Sequence, residues 1–390
     1  MQSKPVVSSR LPKAFTQTSK DEHHGSIKRA LRKLKMLPIV VKSDQPLDTV
    51  AKMQQNSPDF LAVSQARLED VVTLRVLANS PGSGVTRKVL HAPTLKLLAV
   101  REVPVSTRQS RERLVEWLEK WQMLQRKNMQ LLSVSSAHWN TPEGCVSVLL
   151  DYMNAGSVQA LVDKIGRLPE AVLANLACQA LRAVGYLHKK GLAHGKLTAA
   201  QLLLDSDGIL KLAPGLSGRL TAEDRDYTFR DDISALGRIL LAALIGGEDW
   251  FDLAQIDGCC LLDSCDRLLL AHNSPQLMDF LRKCLHPGSI QPIEELLQHD
   301  WLYLDRYPGP KVSLCEVILM TSRWDKAEEV TPVGESELQR ICKSLAMVLV
   351  GKRLGQLTDQ WATVLASDLG LSRTLVERQI SLLLSRYNPS

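Results

Sequence analysis

Strand-like apolar runs come early in this chain, and helix-like patterns dominate afterwards. The runs at 71–77, 97–103 and 145–150 have the length and the β-branched content of strands. From Pro169 onward the pattern is mostly helical, with an interruption at 202–216. Strands followed by helices predict an α+β body with two unlike lobes. One helical face is also predicted between the second and third strand-like runs, by Leu114, Val115, Leu118 and Trp121.

The first 65 residues differ from the rest in pattern and charge. They are rich in Ser, Lys, Gln and Pro with weak periodicity, which predicts a largely disordered leader. Residues 1–40 hold nine basic and two acidic side chains, whereas the whole chain has a net charge of only +6. The basic character therefore belongs to the leader, and the remainder of the chain is close to neutral.

Three short helices are predicted at the C-terminal end, over 335–350, 357–368 and 372–387, with Ser372 as an N-cap. Residues 364–376 resemble the turn of a helix-turn-helix, whose second helix enters the DNA major groove. The charges of the last helix are nearly balanced, while DNA-binding helices usually carry a basic face. A protein-interaction module or a brace for the large lobe is favoured, and nucleic-acid binding is the alternative.

Membrane insertion and export are not indicated. No apolar run reaches bilayer-spanning length, and Met1–Pro5 begins no signal peptide. Only Cys259, Cys260 and Cys265 cluster among the eight cysteines, so reduced thiols are favoured and a zinc site there is the alternative. We expect an intracellular protein of the cytoplasm or the nucleus.

The segment from His194 to Leu204 has the frame of a kinase catalytic loop, H-R-D-L-x-x-x-N. In that pattern the Asp accepts the substrate hydroxyl proton and the Asn helps to hold magnesium. Here Lys196 stands at the Asp position and Gln201 at the Asn position. A protonated lysine cannot accept a proton.

Further motifs follow in family order at nearly the usual spacing: 150–158 (hinge), 186–188 (before the catalytic loop), 215–220, 232–237 (central helix) and 296–302 (closing segment). With the catalytic loop, they show that roughly residues 68–304 resemble the eukaryotic protein kinases, most closely the MAP-kinase-kinase branch. The resemblance implies a bilobal protein-kinase fold with a disordered basic N-terminal leader and a helical C-terminal extension. It divides the chain into a leader (1–65), a kinase-like domain (66–304, with lobes 66–153 and 154–304) and an extension (305–390).

The resemblance also places a nucleotide cleft, which we expect to be vestigial, at Gly82, Gly84, Ala99, Arg101, Leu150 and Met153. Of the three glycines in the phosphate loop only Gly84 remains, and Arg101 replaces the usual lysine. Glu116 and Glu119 are both candidates for its ion-pair partner, and the spacing does not choose between them. Ala213 occupies the magnesium-binding Asp position and has no oxygen ligand to offer.

The loop between Leu220 and Asp232 is short, with only residues 221–231 between them, so the phosphorylatable loop and the A-P-E motif are absent. Four degenerate catalytic positions (Arg101, Lys196, Gln201, Ala213) therefore predict a pseudokinase, not an enzyme, that acts as a scaffold or allosteric partner without metal or cofactor. ATP binding without magnesium is the alternative for the cleft. The alternatives for function are an active or residual ATP-dependent kinase of the MAP-kinase-kinase type and a nucleic-acid-binding regulator. We expect His194 and Asp232 to have structural roles, with Asp232 holding the loop backbone.

A basic-apolar run in the leader resembles the docking motif with which MAP-kinase kinases grip MAP kinases: Arg32, Lys33, Leu34, Met36, Leu37 and Ile39. Basic residues would meet an acidic patch while spaced apolar side chains enter a groove. A nuclear-localisation patch, a membrane-surface helix and a solvated tail are the alternatives. The motif predicts a protein partner, either a MAP kinase or a kinase upstream or downstream.

Overall fold

The structure is a computed structural model, and it describes residues 66–80, 84–105, 107–140, 144–195, 197–216, 228–246, 262–263, 274–286, 288–306, 313–327, 334–351 and 358–387. The docking segment 32–39, Gly82, Lys196 and the three clustered cysteines lie outside these residues.

The small lobe is built on an antiparallel five-stranded sheet with the order β1-β2-β3-β5-β4. Its strands are β1 (Val71–Ser80), β2 (Gly84–His91), β3 (Lys96–Pro104), β4 (Val134–Asn140) and β5 (Cys145–Asp151). One helix, α1 (Arg108–Gln125), lies between β3 and β4 in the chain and begins at Thr107, whose hydroxyl accepts from the Ser110 amide at 3.1 Å.

The structure of the small lobe differs from the sequence prediction in its strands and in the buried face of α1. β2 and β4 were not predicted because Thr86, Arg87, Lys88 and Ser136 interrupt their apolar positions. In α1, Val115 is 42% exposed, whereas Trp117 is buried with Leu114, Leu118 and Trp121. The inward face is therefore rotated toward Trp117.

The large lobe is mostly helical. Its elements are β6 (Gly156–Ser157), α2 (Val158–Ile165), α3 (Glu170–His188), β7 (Leu202–Leu204), β8 (Leu210–Leu212), α4 (Phe229–Ile245), α5 (Pro275–Leu285) and α6 (Ile293–Leu296). From Ile239 to Ile245 every residue of α4 is buried, as expected of a helix at the centre of a lobe. The closing segment also packs inward, because the indole of Trp301 is fully buried and donates to Glu170 Oε1 at 2.9 Å.

The C-terminal extension forms four helices among the described residues: α7 (Leu314–Ala327), α8 (Glu335–Gly351), α9 (Thr358–Leu369) and α10 (Arg373–Tyr387). The predicted bounds of the last three are close, and the Ser372 hydroxyl accepts from the Leu375 amide at 3.3 Å, so the N-cap is confirmed. The predicted brace for the large lobe is wrong for these three helices. They share a core with Val72, Leu74, Leu90 and Ala92 of the small lobe, because their apolar faces match that side of the sheet.

No helix among the described residues is long and apolar enough to cross a membrane.

Candidate functional site

The catalytic-loop backbone is held by Asp232, on the buried central helix α4. Its Oδ2 accepts from the His194 amide at 2.7 Å, and its Oδ1 accepts from the Gly195 amide at 3.0 Å. His188 Nε2 lies 2.9 Å from the same Oδ2. A buried carboxylate needs such partners to remain charged. The structural role predicted for Asp232 is confirmed.

His194 joins this loop to the segment Ala213-Pro214-Gly215. Its Nε2 lies 2.9 Å from the carbonyl oxygen of Ala213, which can only accept, so Nε2 carries the proton. The ring packs so closely on Gly215 (φ +51°) that a Cβ there would be 2.8 Å from His194 Cε1. The histidine therefore acts in packing, as predicted, and the glycine is needed for that contact.

Two tryptophans of α1 complete this junction between the lobes. Trp117 Nε1 donates to the Pro214 carbonyl oxygen at 2.7 Å, and Trp121 Nε1 donates to the Leu132 carbonyl oxygen at 2.9 Å. The Trp121 and His194 rings meet edge to face with centroids 6.3 Å apart. Helix α1, the 213–215 segment and the catalytic loop thus form one packed unit, which we call the tryptophan junction (Trp117, Trp121, His194 and 213–215).

Neither glutamate predicted as the ion-pair partner of Arg101 faces the cleft. Glu116 is paired with Lys120 along the outside of the helix at 2.6 Å, which lowers its pKa, and Glu119 is exposed. Trp117 occupies the inward position next to Glu116.

Arg101 lies on β3 opposite Thr86 of β2, and its Nη1 donates to the Thr86 hydroxyl at 3.1 Å. Partial burial lowers the pKa of its guanidinium, which nevertheless stays protonated, as arginine does in proteins. The cleft therefore keeps a permanent cation at the position of the usual lysine.

Three other predicted cleft residues, Ala99, Leu150 and Met153, are buried on β3, at the end of β5 and in the hinge after it. Gly84 (φ +98°) stands where β2 begins, and a Cβ there would be 1.8 Å from the Glu102 carbonyl oxygen. This glycine is therefore required by the close approach of β2 to β3, whatever it does toward phosphate.

Gln201 is occupied by the backbone of its own loop. Its Oε1 accepts from the Thr198 amide at 2.9 Å, while the Thr198 side chain caps the same short 3₁₀ helix (Ala199–Gln201). Asp205, the nearest carboxylate on the following turn, likewise accepts from the Asp207 and Ile209 amides at 3.0 and 2.8 Å. Both side chains serve local structure.

The donors at this end of the cleft do not fit magnesium, which requires hard oxygen ligands. Ala213 offers no side-chain oxygen, and no group of three or more His, Cys, Asp or Glu residues among the described residues is arranged to hold a metal ion. A polar hollow of about 440 Å³ lies elsewhere on the large lobe, beside Asp279, whose pKa is lowered chiefly by its hydrogen bond to Lys283.

Comparison with known proteins agrees with this architecture. The protein kinase domain model matches residues 81–229. This part of the chain is a domain of the eukaryotic protein kinase superfamily.

Two of three relatives of this kinase domain are named as members of MAP-kinase cascades, and the third is named as a serine/threonine-protein kinase. Mitogen-activated protein kinase kinase 1c of Physcomitrium patens is 22% identical over 72% of the chain and 87% of its own length. Mitogen-activated protein kinase kinase kinase 3 of Arabidopsis thaliana is 26% identical over 44% of the chain, and the kinase BCK1/SLK1/SSP31 of Saccharomyces cerevisiae is 27% identical over 44% of it. The aligned parts span only 31% and 14% of those two proteins. The chain thus has a protein kinase domain of the MAP-kinase-cascade type.

These relatives correct the expectation that the chain is not an enzyme. Each of the three is named as a kinase, which points to an active protein kinase family.

Proposed function

We propose that this chain is a protein kinase of a MAP-kinase-type cascade that transfers the terminal phosphoryl group of ATP to a protein hydroxyl at a low, residual rate. ADP would leave, and the hydroxyl proton would pass to solvent. Relatives named as a MAP kinase kinase and a MAP kinase kinase kinase support this proposal.

The observation that carries the proposal is the tryptophan junction. In kinases of this fold, transfer depends mainly on positioning and electrostatics, since the protein does little covalent chemistry. Here the catalytic loop is fixed by Asp232 and the 213–215 segment by His194 and Trp117. Arg101 supplies a fixed cation on the small-lobe side.

The residue types also support a low rate. Without a carboxylate at 196 or 213, proton acceptance and metal ligation are both missing, and removal of one electrostatic contributor typically lowers kcat by about 10²–10³-fold.

We propose that ATP binds without a magnesium requirement. ATP should then raise the melting temperature equally in magnesium and in EDTA, whereas a rise seen only with magnesium would contradict this part of the proposal.

The test of transfer uses the purified full chain with radiolabelled ATP and a generic protein acceptor. Phosphate incorporation should be slow, and it should fall further in Arg101→Ala. The exposed Arg75→Ala on the edge strand β1 is the control and should keep the wild-type rate. Equal incorporation by wild type and Arg101→Ala would contradict the proposal.

We further propose that the domain acts on its cascade partner by binding as well, as a scaffold or allosteric partner, and that the leader supplies the grip through residues 32–39. Leu37→Ala with Ile39→Ala should abolish capture of a MAP kinase by the full chain, because the variant lacks both apolar side chains that would fill the groove of the MAP kinase. Val6→Ala with Val7→Ala removes similar apolar surface from the leader and should leave capture intact. Undiminished capture by the first variant would rule out the motif.

A further inference from the structure

The C-terminal extension contacts both lobes. Leu314 and Val317 of α7 are buried in the core that includes the large lobe, and Cys315 Sγ donates to the Asp207 carbonyl oxygen at 2.8 Å. Helices α8, α9 and α10 instead share a core with β1 and β2 of the small lobe. We call the segment 314–387 the strap.

The attachment of the strap to the small lobe includes specific hydrogen bonding as well as apolar packing. The Trp361 indole, on α9, is 1% exposed and donates to the Ala92 carbonyl oxygen at 2.9 Å. Leu95, in the same turn between β2 and β3, packs against this core with a positive φ of 56°. Leucine rarely adopts a positive φ, so the contacts around Leu95 determine the shape of this turn.

A buried ion pair links the strap to the hinge between the lobes. Lys88 of β2 pairs with Asp368 of α9, and their side chains are only 5% and 7% exposed. The same ammonium lies 4.3 Å from the ring centroid of Tyr152, in the hinge segment after β5. A cation so placed is attracted both to the carboxylate and to the face of the ring.

We propose that docking of the strap on the small lobe sets the freedom of the hinge, with Lys88 as the connection between Asp368 and Tyr152. Removal of the Asp368 charge leaves a buried cation without its carboxylate, and the cation then moves toward water. That movement takes the ammonium from the Tyr152 ring. The lobes consequently open more readily at the hinge when the strap is released.

Hydrogen exchange of the full chain, followed by mass spectrometry, tests this coupling. The hinge offers three protected amides: Asp151 donates to the Ser133 oxygen, Ala155 to the Leu204 oxygen and Gly156 to the Met153 oxygen. In Asp368→Asn, peptides covering 150–156 should exchange about tenfold faster or more, since loss of one buried partner is strongly destabilising locally. Peptides from α5 should keep their wild-type rates.

The control is Asp279→Asn, which removes a carboxylate from a more exposed ion pair with Lys283 on α5 of the large lobe. It should leave hinge exchange unchanged. Faster exchange of α9 and α10 in Asp368→Asn, with unchanged hinge peptides, would overturn the proposal and leave the strap a purely stabilising element.

If Asp368→Asn does not fold, Trp361→Phe carries the test, because it keeps most of the ring volume and removes only the indole N–H. Its hinge peptides should still exchange faster than those of Asp279→Asn. Acceleration limited to the 91–95 turn would overturn the proposal in this variant.

Discussion

At the scale of single residues, Trp117 explains how this domain holds α1 without the usual glutamate. Its indole replaces an ion pair with a hydrogen bond to the Pro214 carbonyl oxygen, in a buried place where an unpaired acceptor would be unfavourable. The sequence alone left Glu116 and Glu119 open, because both lie near the expected distance from Arg101. It did not reveal that the tryptophan faces inward, since this depends on the rotation of α1 against the sheet.

Trp117→Phe should lower the free energy of unfolding by about 1–3 kcal/mol, because a buried carbonyl loses its donor while most of the ring packing remains. Urea denaturation measures this. Trp139→Phe is the control, since Trp139 is 39% exposed on β4 and should change stability by less than about 0.5 kcal/mol. Equal effects of the two substitutions would show that the indole hydrogen bond contributes nothing specific.

At the scale of elements, the apolar pattern predicted the strands and helices whose apolar positions are regular. It did not predict the strands in which charged or polar residues interrupt those positions. The strands at 71–77, 97–103 and 145–150 and the C-terminal helices were all predicted near their observed bounds. The sequence pattern did not predict β2 because charged residues, such as Arg87 and Lys88, interrupt its apolar positions. In the structure Lys88 is nevertheless buried and paired with Asp368. The side on which α8 to α10 pack could not be predicted either, because it is decided by tertiary contacts with Val72 and Leu90.

The docking of α8 on the small lobe predicts a contrast between two of its apolar residues. Leu345 is fully buried, and Leu345→Ala should lower the free energy of unfolding by about 2–5 kcal/mol through lost burial and a cavity. Met347 is 59% exposed, and Met347→Ala should change it by less than about 0.5 kcal/mol. Comparable midpoints in urea for the two variants would contradict the placement of α8 against the sheet.

At the scale of the whole molecule, the resemblance predicted the bilobal protein-kinase fold correctly, and a protein kinase domain model matches residues 81–229. The packing motifs that carry a fold are distributed over the whole domain, so several can be recognised even when individual residues differ. Catalysis depends on a few side chains, and their substitution led to the wrong expectation of a non-enzyme. The relatives correct that expectation at the level of the family.

We propose that this assembled kinase domain transfers phosphate slowly because it lacks a carboxylate to hold the metal ion. Phosphate incorporation from magnesium-ATP by Ala213→Asp, compared with wild type, tests it most directly. The variant places a hard oxygen ligand at the end of the tryptophan junction, so incorporation should rise about tenfold or more and should require magnesium. No incorporation by either protein, or a rate in Ala213→Asp that is no higher than in wild type, would contradict the account.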